Sequence, residues 1–356
     1  MINAEALPNR RVERWRWSDV RSAVGALPPV APAPKSVVPA TGRFVALDPA
    51  EIVIQDGRVA FWPEKTRTGR PAVFSKKASE AGPRRNAEGS PLAVMAVDGL
   101  ADDWFPIVES RNDSGVAFVR HIGATGRYSR QSRIGVSVRP GEKLTLIEIF
   151  EGAHAGFTNT LSECFVAPGG DLMRIVLQPA APEATIICTG EVFLGDGAQF
   201  RQFVLAEGGK LARTETDVWA GAKSRVRLDG VYLAAKARHA DLTSQVMLGA
   251  EGAEVRQLVR GVARKGGRGV FQGRFKVERA AQKTDAQMEH NALLLEEGAE
   301  VFAKPELEIY ADDVQCAHGN TAGQLDEAAV FYLRQRGLPE IEARAMITRA
   351  FLIEAV

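Results

Sequence analysis

From residue 92 to about residue 320, apolar and polar positions alternate in short runs separated by glycine-bearing turns. Gly269, Phe271, Gly273, Phe275 and Val277 fall on one face of such a run; Val270, Gln272, Arg274 and Lys276 fall on the other. Ala240, Leu242, Ser244, Val246 and Leu248 alternate in the same way with His239, Asp241, Thr243 and Gln245. A period of two marks a strand, whose successive side chains point to opposite faces. No helical period separates the runs, which argues against a doubly wound α/β sheet. Gly-Ala pairs precede several runs, at Gly152-Ala153, Gly197-Ala198, Gly221-Ala222, Gly252-Ala253 and Gly298-Ala299. Their gaps are 45, 24, 31 and 46 residues, three of which lie near one or two units of about 23. A unit of that size suits one coil of a solenoid that buries its inner face against its neighbours. The spacing favours a parallel β-helix, although a β-sandwich or irregular β fold would also give short alternating strands.

The flanks read differently. Val12, Trp15, Val20 and Val24 recur at roughly helical intervals, predicting a short amphipathic helix over residues 9–24. Pro28, Pro29, Pro32, Pro34 and Pro39 make the next stretch an extended linker. Residues 75–91 are polar and charged and predict a surface loop. At the other end Asp326 is a candidate N-cap, with Glu327 in the first turn and Phe331, Tyr332 and Leu333 following. Gly337 suits a C′ position and Pro339 the N1 position of a second helix, from about Glu340 onward. Its Ile341, Ala345, Ile347, Phe351 and Leu352 exceed what one stripe can bury, so an αα-hairpin with spare apolar surface is expected. The expected organisation is a helical segment and linker over 1–39, a variable region over 40–91, a β-helix core over 92–320 and a helical segment over 321–356.

Composition narrows the function. Lys and Arg number 45 against 44 Asp and Glu, for a net charge of +1. A nucleic-acid binder needs a cationic surplus to neutralise phosphates, so that class is set aside. The longest uncharged stretch, Ser22 to Pro34, has 13 residues and four prolines, too short and broken to span a bilayer. Arg10, Arg11, Arg14 and Arg16 stand where a signal peptide would be apolar. Cys164, Cys188 and Cys316 are too few and scattered for a disulfide framework or a four-cysteine zinc site. These features predict a cytoplasmic protein with reduced thiols, in which the sequon Asn112-Asp113-Ser114 is accidental.

The chain contains no Gly-x-x-x-x-Gly-Lys-Ser/Thr, no Gly-x-Ser-x-Gly and no His-Glu-x-x-His. Asp312 and Asp313 are adjacent, and adjacent strand residues point to opposite faces, so a turn role is favoured. Cys316 and His318 are different. At i and i+2 on a strand-like run they project from one face, and thiolate and imidazole both ligate iron or zinc. Two ligands do not complete a site. The competing reading is a buried cysteine beside a hydrogen-bonded histidine. His121, His154, His239 and His290 carry no such pairing and read as structural.

The C-terminal third then becomes recognisable. Ala280-Ala281-Gln282-Lys283-Thr284-Asp285-Ala286 and Leu293-Leu294-Leu295 with Ala299-Glu300 resemble the SufB/SufD family, on its SufD side, of the SUF iron–sulfur cluster assembly scaffold. So do Lys304-Pro305-Glu306-Leu307-Glu308-Ile309-Tyr310-Ala311-Asp312-Asp313-Val314 and Cys316-Ala317-His318-Gly319. The likeness runs on through Gly323-Gln324-Leu325-Asp326 and Phe331-Tyr332-Leu333-Arg334-Gln335-Arg336-Gly337, about 60 residues in all. Upstream, Glu13-Arg14-Trp15-Arg16-Trp17-Ser18-Asp19 is similar to the family's early Glu-x-Trp-Lys-Tyr-Thr-Asp segment. The chain begins close to that segment, so the family's helical N-terminal extension is expected to be largely missing.

The resemblance implies a right-handed parallel β-helix with flanking helical segments. It implies a non-enzymatic subunit that pairs with a SufB-like chain and docks a SufC-like ABC-type ATPase, and it leaves room for a homodimer of the isolated chain. It implies that Cys316 and His318 lie at the SufB interface, where they hold iron or a transient iron–sulfur cluster shared with the partner. It leaves room for a flavin in the complex, with no cofactor tightly bound to the isolated chain. Leu325, Phe331, Tyr332, Arg334, Arg336, Ile341 and Phe351 are the residues expected to meet the ATPase. The rival readings are a β-helix polysaccharide lyase or hydrolase and a stand-alone binding solenoid. The lyase would be secreted and would carry a ladder of carboxylates along one face.

Overall fold

The computed structural model describes residues 4–37, 51–62, 71–77, 90–100, 104–111, 115–123, 126–151 and 155–356. The first strands are β1 (Glu51–Gln55), β2 (Arg58–Phe61), β3 (Ala72–Lys77), β4 (Trp104–Glu109), β5 (Gly115–Ile122) and β6 (Tyr128–Val138). The alternating runs that follow give β7 (Lys143–Glu151), β8 (Gly156–Val166), β9 (Asp171–Gln178), β10 (Ala184–Leu194), β11 (Gln199–Ala206) and β12 (Leu211–Ala220). The last seven are β13 (Arg225–Ala234), β14 (His239–Leu248), β15 (Glu254–Ala263), β16 (Arg268–Val277), β17 (Asp285–Leu294), β18 (Glu300–Ile309) and β19 (Gln315–Gly323). Odd strands from β5 to β19 form one parallel sheet and even strands from β4 to β18 another, and the chain crosses between them at each corner. Among the described strands, only β1 with β2 and β3 with β4, at the far end, pair antiparallel. The result is a parallel β-solenoid of about seven coils.

The repeat is longer than the Gly-Ala spacing suggests. The in-register partners Lys143, Asp171, Gln199, Arg225, Glu254, Asp285 and Gln315 advance by 26 to 31 residues per coil, not 23. The corner itself is marked by a residue in the left-handed region: Gly141, Gly169, Gly197, Lys223, Gly252 and Lys283 in successive coils. From Gly169 onward each hydrogen-bonds to the next coil, as in Gly197 N–H to Ala222 O at 2.8 Å and Lys223 N–H to Glu251 O at 2.8 Å. Lysine at two of these positions hides the glycine period. Gly298-Ala299 belongs to the opposite corner, between β17 and β18, so its gap of 46 is one and a half coils. Gly152-Ala153 lies outside the described residues.

The inner faces stack in rows. Val136, Cys164, Val192, Val218, Val246, Phe275 and Leu307 share one register position of successive coils. Burying such a Val or Leu contributes roughly 1.5–3 kcal/mol. The interior is not wholly apolar, however. Arg174 and Glu148 are fully buried and paired at 2.6 Å. Arg174 also donates to Gln202 Oε1 at 2.9 Å, and Ser162 donates to Glu148 Oε1 at 2.7 Å. A Cβ at Gly190 would sit 2.3 Å from Arg174 Nη1, so this glycine makes room for the guanidinium. Removing either partner would leave an uncompensated buried charge.

The predicted helix over 9–24 is broken. A 3-10 turn covers Glu13–Trp15, and the helix proper, α1, is only Val20–Val24, with Asp19 accepting from Ser22 N–H at 2.9 Å. Packing overrides the helical period, because the segment is a strap laid across the even-numbered sheet. Trp15 is buried against Phe157, Ile187 and Leu211, with the Arg213 guanidinium 3.8 Å from its ring centre. Arg14 pairs with Asp217, Ser18 hydrogen-bonds to Asp241, and Trp17 stacks on Phe302 at 5.8 Å. Four even-numbered strands, β12, β14, β16 and β18, are thus tied by one segment; Gln272 Nε2 donates to Arg14 O at 3.1 Å from β16. This cover explains why Val270, Gln272, Asp241 and Thr243 are buried although they face outward.

A second element was not evident in the sequence pattern. α2 (Pro91–Asp98) begins where strands were expected and lies on β6 and β8, with Leu92 and Ala96 buried and Asn159 Nδ2 donating to Leu92 O at 2.8 Å. Beyond the solenoid come α3 (Glu327–Gln335) and α4 (Glu340–Ile353). Asp326 caps α3, accepting from Ala328 N–H at 2.9 Å, and Gly337 takes φ +92° between the helices. Pro339 is the N-cap of α4, one position before the expected N1. Pro39, most of the 75–91 loop, the Asn112 sequon and His154 lie outside the described residues.

Candidate functional site

β18 and β19 are the last strands of their sheets, and no further coil covers them among the described residues. Their outer edges are therefore open, with backbone donors and acceptors free to pair. On β19, Cys316 lies in register with Ala286, His318 with Met288 and Asn320 with His290. Ala286, Met288 and His290 are buried in the tube, so the three β19 residues continue its inner wall at the mouth. Facing them on β18, Ala303, Pro305 and Leu307 continue the rows of Phe271, Gly273 and Phe275. The strand geometry brings Cys316 and His318 to one face, as the i, i+2 spacing requires.

The two differ in environment. Cys316 is half-buried against the core, and that burial pushes its thiol up from its ordinary value. A protonated thiol is a poor ligand until it loses its proton. His318 is exposed and, with Met288 and Asn320, borders a groove of about 550 Å³ that runs along the outward face of β13, β15, β17 and β19 past Asp229, Leu258 and Glu289. Among the described residues no group of three or more His, Cys, Asp or Glu could hold a metal ion. An iron or cluster at the mouth would need ligands from another molecule. Cys164 and Cys188 do not join this site. They are buried deep in the tube, where desolvation pushes their thiols up to about 12 and about 11.

The mouth also contains His290, expected to be structural, together with Asn320 and Tyr232, to which no role was assigned from the sequence. His290 is fully buried, stacked on Phe271 at 4.7 Å, with Nδ1 2.7 Å from Asn320 Oδ1 and Nε2 3.1 Å from the Tyr232 hydroxyl. Desolvation pushes its pKa down to about 4, so it is neutral near pH 7. Asn320 is two residues beyond His318, so the same spacing argument reaches it. Nothing in the sequence links Tyr232 to His290, 58 residues away.

The helical residues separate into two groups. Phe331, Tyr332 and Ile341 are 60%, 58% and 84% exposed, and Arg334 and Arg336 are exposed beside them. Arg336 lies over the Tyr332 ring and donates to its hydroxyl at 3.1 Å. Leu325 is buried, and Phe351 is half-buried beneath Arg260 of β15, whose guanidinium is 4.9 Å from the ring and also pairs with Glu354. The first group is a free surface, whereas Leu325 and Phe351 anchor the hairpin to the solenoid.

Comparison with known proteins agrees with this architecture. The chain is 27% identical over 98% of its length to the iron–sulfur cluster assembly protein SufD of Escherichia coli, covering 84% of that protein. It is 25% identical over 99% of its length to an iron–sulfur cluster assembly SufBD family protein of Synechocystis, covering 83% of it. A shorter match, 31% identical over 63% of the chain and 48% of the relative, is to the chloroplastic protein ABCI7 of Arabidopsis thaliana. Residues 121–351, which include the coils from β6 to β19 and nearly all of the hairpin, match the SufBD core domain of SUF-system iron–sulfur cluster assembly, and the chain belongs to that family.

Proposed function

We propose that this chain is a non-catalytic scaffold subunit in iron–sulfur cluster assembly, pairing with a SufB-like subunit and docking a SufC-like ABC-type ATPase. The open end of the solenoid carries this reading. Two unpaired strand edges and an inward Cys316–His318 pair lie at one mouth. Edges of this kind pair with another chain by adding strands. A SufB-like solenoid joining there would cover the mouth and supply the ligands that this chain lacks. The nascent cluster is then cargo shared between two chains, with His318 the stronger ligand because burial pushes the Cys316 thiol up and it must first lose its proton. Any flavin would belong to the complex. In isolation the same edges would meet a second copy of this chain, giving a homodimer. The expected compartment is the cytoplasm; no helix among the described residues is long and apolar enough to cross a membrane.

The ATPase would bind the exposed face of the hairpin, at Phe331, Tyr332, Arg334, Arg336 and Ile341. Co-expression with SufB-like and SufC-like partners tests both contacts. The full chain should co-purify with both, and a chain ending at Gln324 should keep the SufB-like subunit and lose the ATPase. A cut at Asn320 would not serve, because it removes the end of β19. A full chain that purifies with neither partner contradicts the proposal, and a truncated chain that retains the ATPase contradicts the hairpin assignment.

A further inference from the structure

The inner wall of the mouth is braced from within. Tyr232 is fully buried on β13, and its ring occupies space kept free by two glycines: a Cβ at Gly261 would lie 1.9 Å from its Cζ, and one at Gly269 2.2 Å from its Cε2. Its hydroxyl meets His290 Nε2 at 3.1 Å, and His290 Nδ1 meets Asn320 Oδ1 at 2.7 Å. A carboxamide oxygen only accepts, so Nδ1 carries the imidazole proton and Nε2 accepts from the tyrosine O–H. The chain runs in one direction, from Tyr232 through His290 to Asn320. It holds the Asn320 oxygen toward the interior and leaves its Nδ2 amino group as a donor at the mouth. Asn320 is on the same face as His318, two residues along β19, or about 6.6 Å at strand rise.

We propose that Asn320 donates an N–H···S hydrogen bond to the sulfur of a cluster held beside His318, and that Tyr232 and His290 are positioning residues that aim its amide. This rests on the reading of the open end as the place where the cluster is held. Cluster sulfides and ligating thiolates are electron-rich acceptors, and hydrogen bonds to them are among the levers by which a protein tunes a cluster. His318 supplies a ligand to iron but nothing to sulfur; Asn320 supplies what is missing. The two glycines make sense on this account, because a phenol placed to orient His290 needs a slot that no side chain fills.

Two experiments test it. In the isolated full chain, ¹⁵N-histidine spectra should show His290 as the Nδ1–H tautomer. Tyr232→Phe, which keeps the ring in its slot, should shift it toward a mixture of tautomers. An Nε2–H tautomer in the unaltered chain overturns the assignment, because Asn320 would then present its oxygen at the mouth. In the complex with SufB-like and SufC-like partners, Asn320→Asp keeps the acceptor for His290 and removes the donor. Iron and acid-labile sulfide loaded from ferrous iron and sulfide should fall about fivefold, the worth of one hydrogen bond, with assembly of the complex unchanged. Asn320→Ala should give the same loss. Wild-type loading in both variants overturns the donor role. His318→Ala is measured alongside: if it alone lowers loading, the open-end reading stands and the Asn320 assignment falls; if none of the variants does, both fall.

Discussion

Trp15→Ala should be among the most damaging single changes outside the coils, although Trp15 belongs to no coil. Its side chain is 1% exposed and fills the space between the strap and the outward faces of β8, β10 and β12, against Phe157, Ile187 and Leu211. Truncating a buried tryptophan costs about 3–5 kcal/mol. The Arg213 guanidinium lies 3.8 Å from the ring centre, and its Nη2 finds no hydrogen-bond partner among the described residues, so the ring also serves a buried cation. A desolvated cation–π contact adds about 1–2 kcal/mol. The expected total is about 4–7 kcal/mol, read by equilibrium urea unfolding followed by far-UV circular dichroism. Trp17→Ala is the internal control. That ring is half-exposed, stacks on Phe302 at 5.8 Å and lies 6.0 Å from the Arg16 guanidinium, so about 1 kcal/mol or less is expected. Hydrogen exchange should also accelerate in β12 and β14 for Trp15→Ala, because Arg14 and Ser18 leave Asp217 and Asp241 when the strap lifts. A loss below about 1 kcal/mol, or equal losses for the two tryptophans, would refute the claim that the strap ties the coils together.

Phe275→Ala, fully buried between Val246 and Leu307, should cost about 3–5 kcal/mol, whereas Lys276→Ala, which loses only a solvent-screened pair with Glu278, should cost far less; equal small shifts in denaturation midpoint would contradict the face assignment. Acid should destabilise the fold through His239 and His290, both pushed down to about 4 chiefly by desolvation. Folded values below the unfolded 6.5 mean that this stability is complete above about pH 6.5 and is lost as pH falls toward 4, by up to about 3 kcal/mol per histidine. Urea midpoints at pH 7, 6 and 5 check the sign, and a midpoint that rises toward pH 5 contradicts it. Phe331→Ala combined with Ile341→Ala should leave the unfolding midpoint within about 0.5 kcal/mol of wild type and weaken ATPase binding at least tenfold, measured by titration.

The strands of the solenoid were legible because its inner faces follow a period of two, as in Phe271, Gly273, Phe275 and Val277. The coil length was not, because the corner requires a left-handed residue rather than glycine as such, and Lys223 and Lys283 meet that need. The buried outward residues Gln272 and Asp241 were illegible for a different reason: what covers them is the strap, more than 220 residues away in sequence. The same holds for the site. Cys316 and His318 share a face through local spacing, but the Tyr232–His290 contact exists only after three coils are stacked. The i, i+2 rule carried the first layer of the mouth and stopped where long-range packing began.

The proposed role stands or falls with whether His318 binds iron or a cluster at an interface completed by a SufB-like chain. Its most direct test is the iron and acid-labile sulfide content of the complex reconstituted with wild-type or His318→Ala subunit. The chain alone should bind iron poorly, because the described residues offer no third ligand. The wild-type complex should load a cluster, and the His318→Ala complex should assemble with the same subunits while losing most of its iron. A His318→Ala complex that loads clusters at the wild-type rate and yield would make His318 a bystander at the mouth and contradict the account.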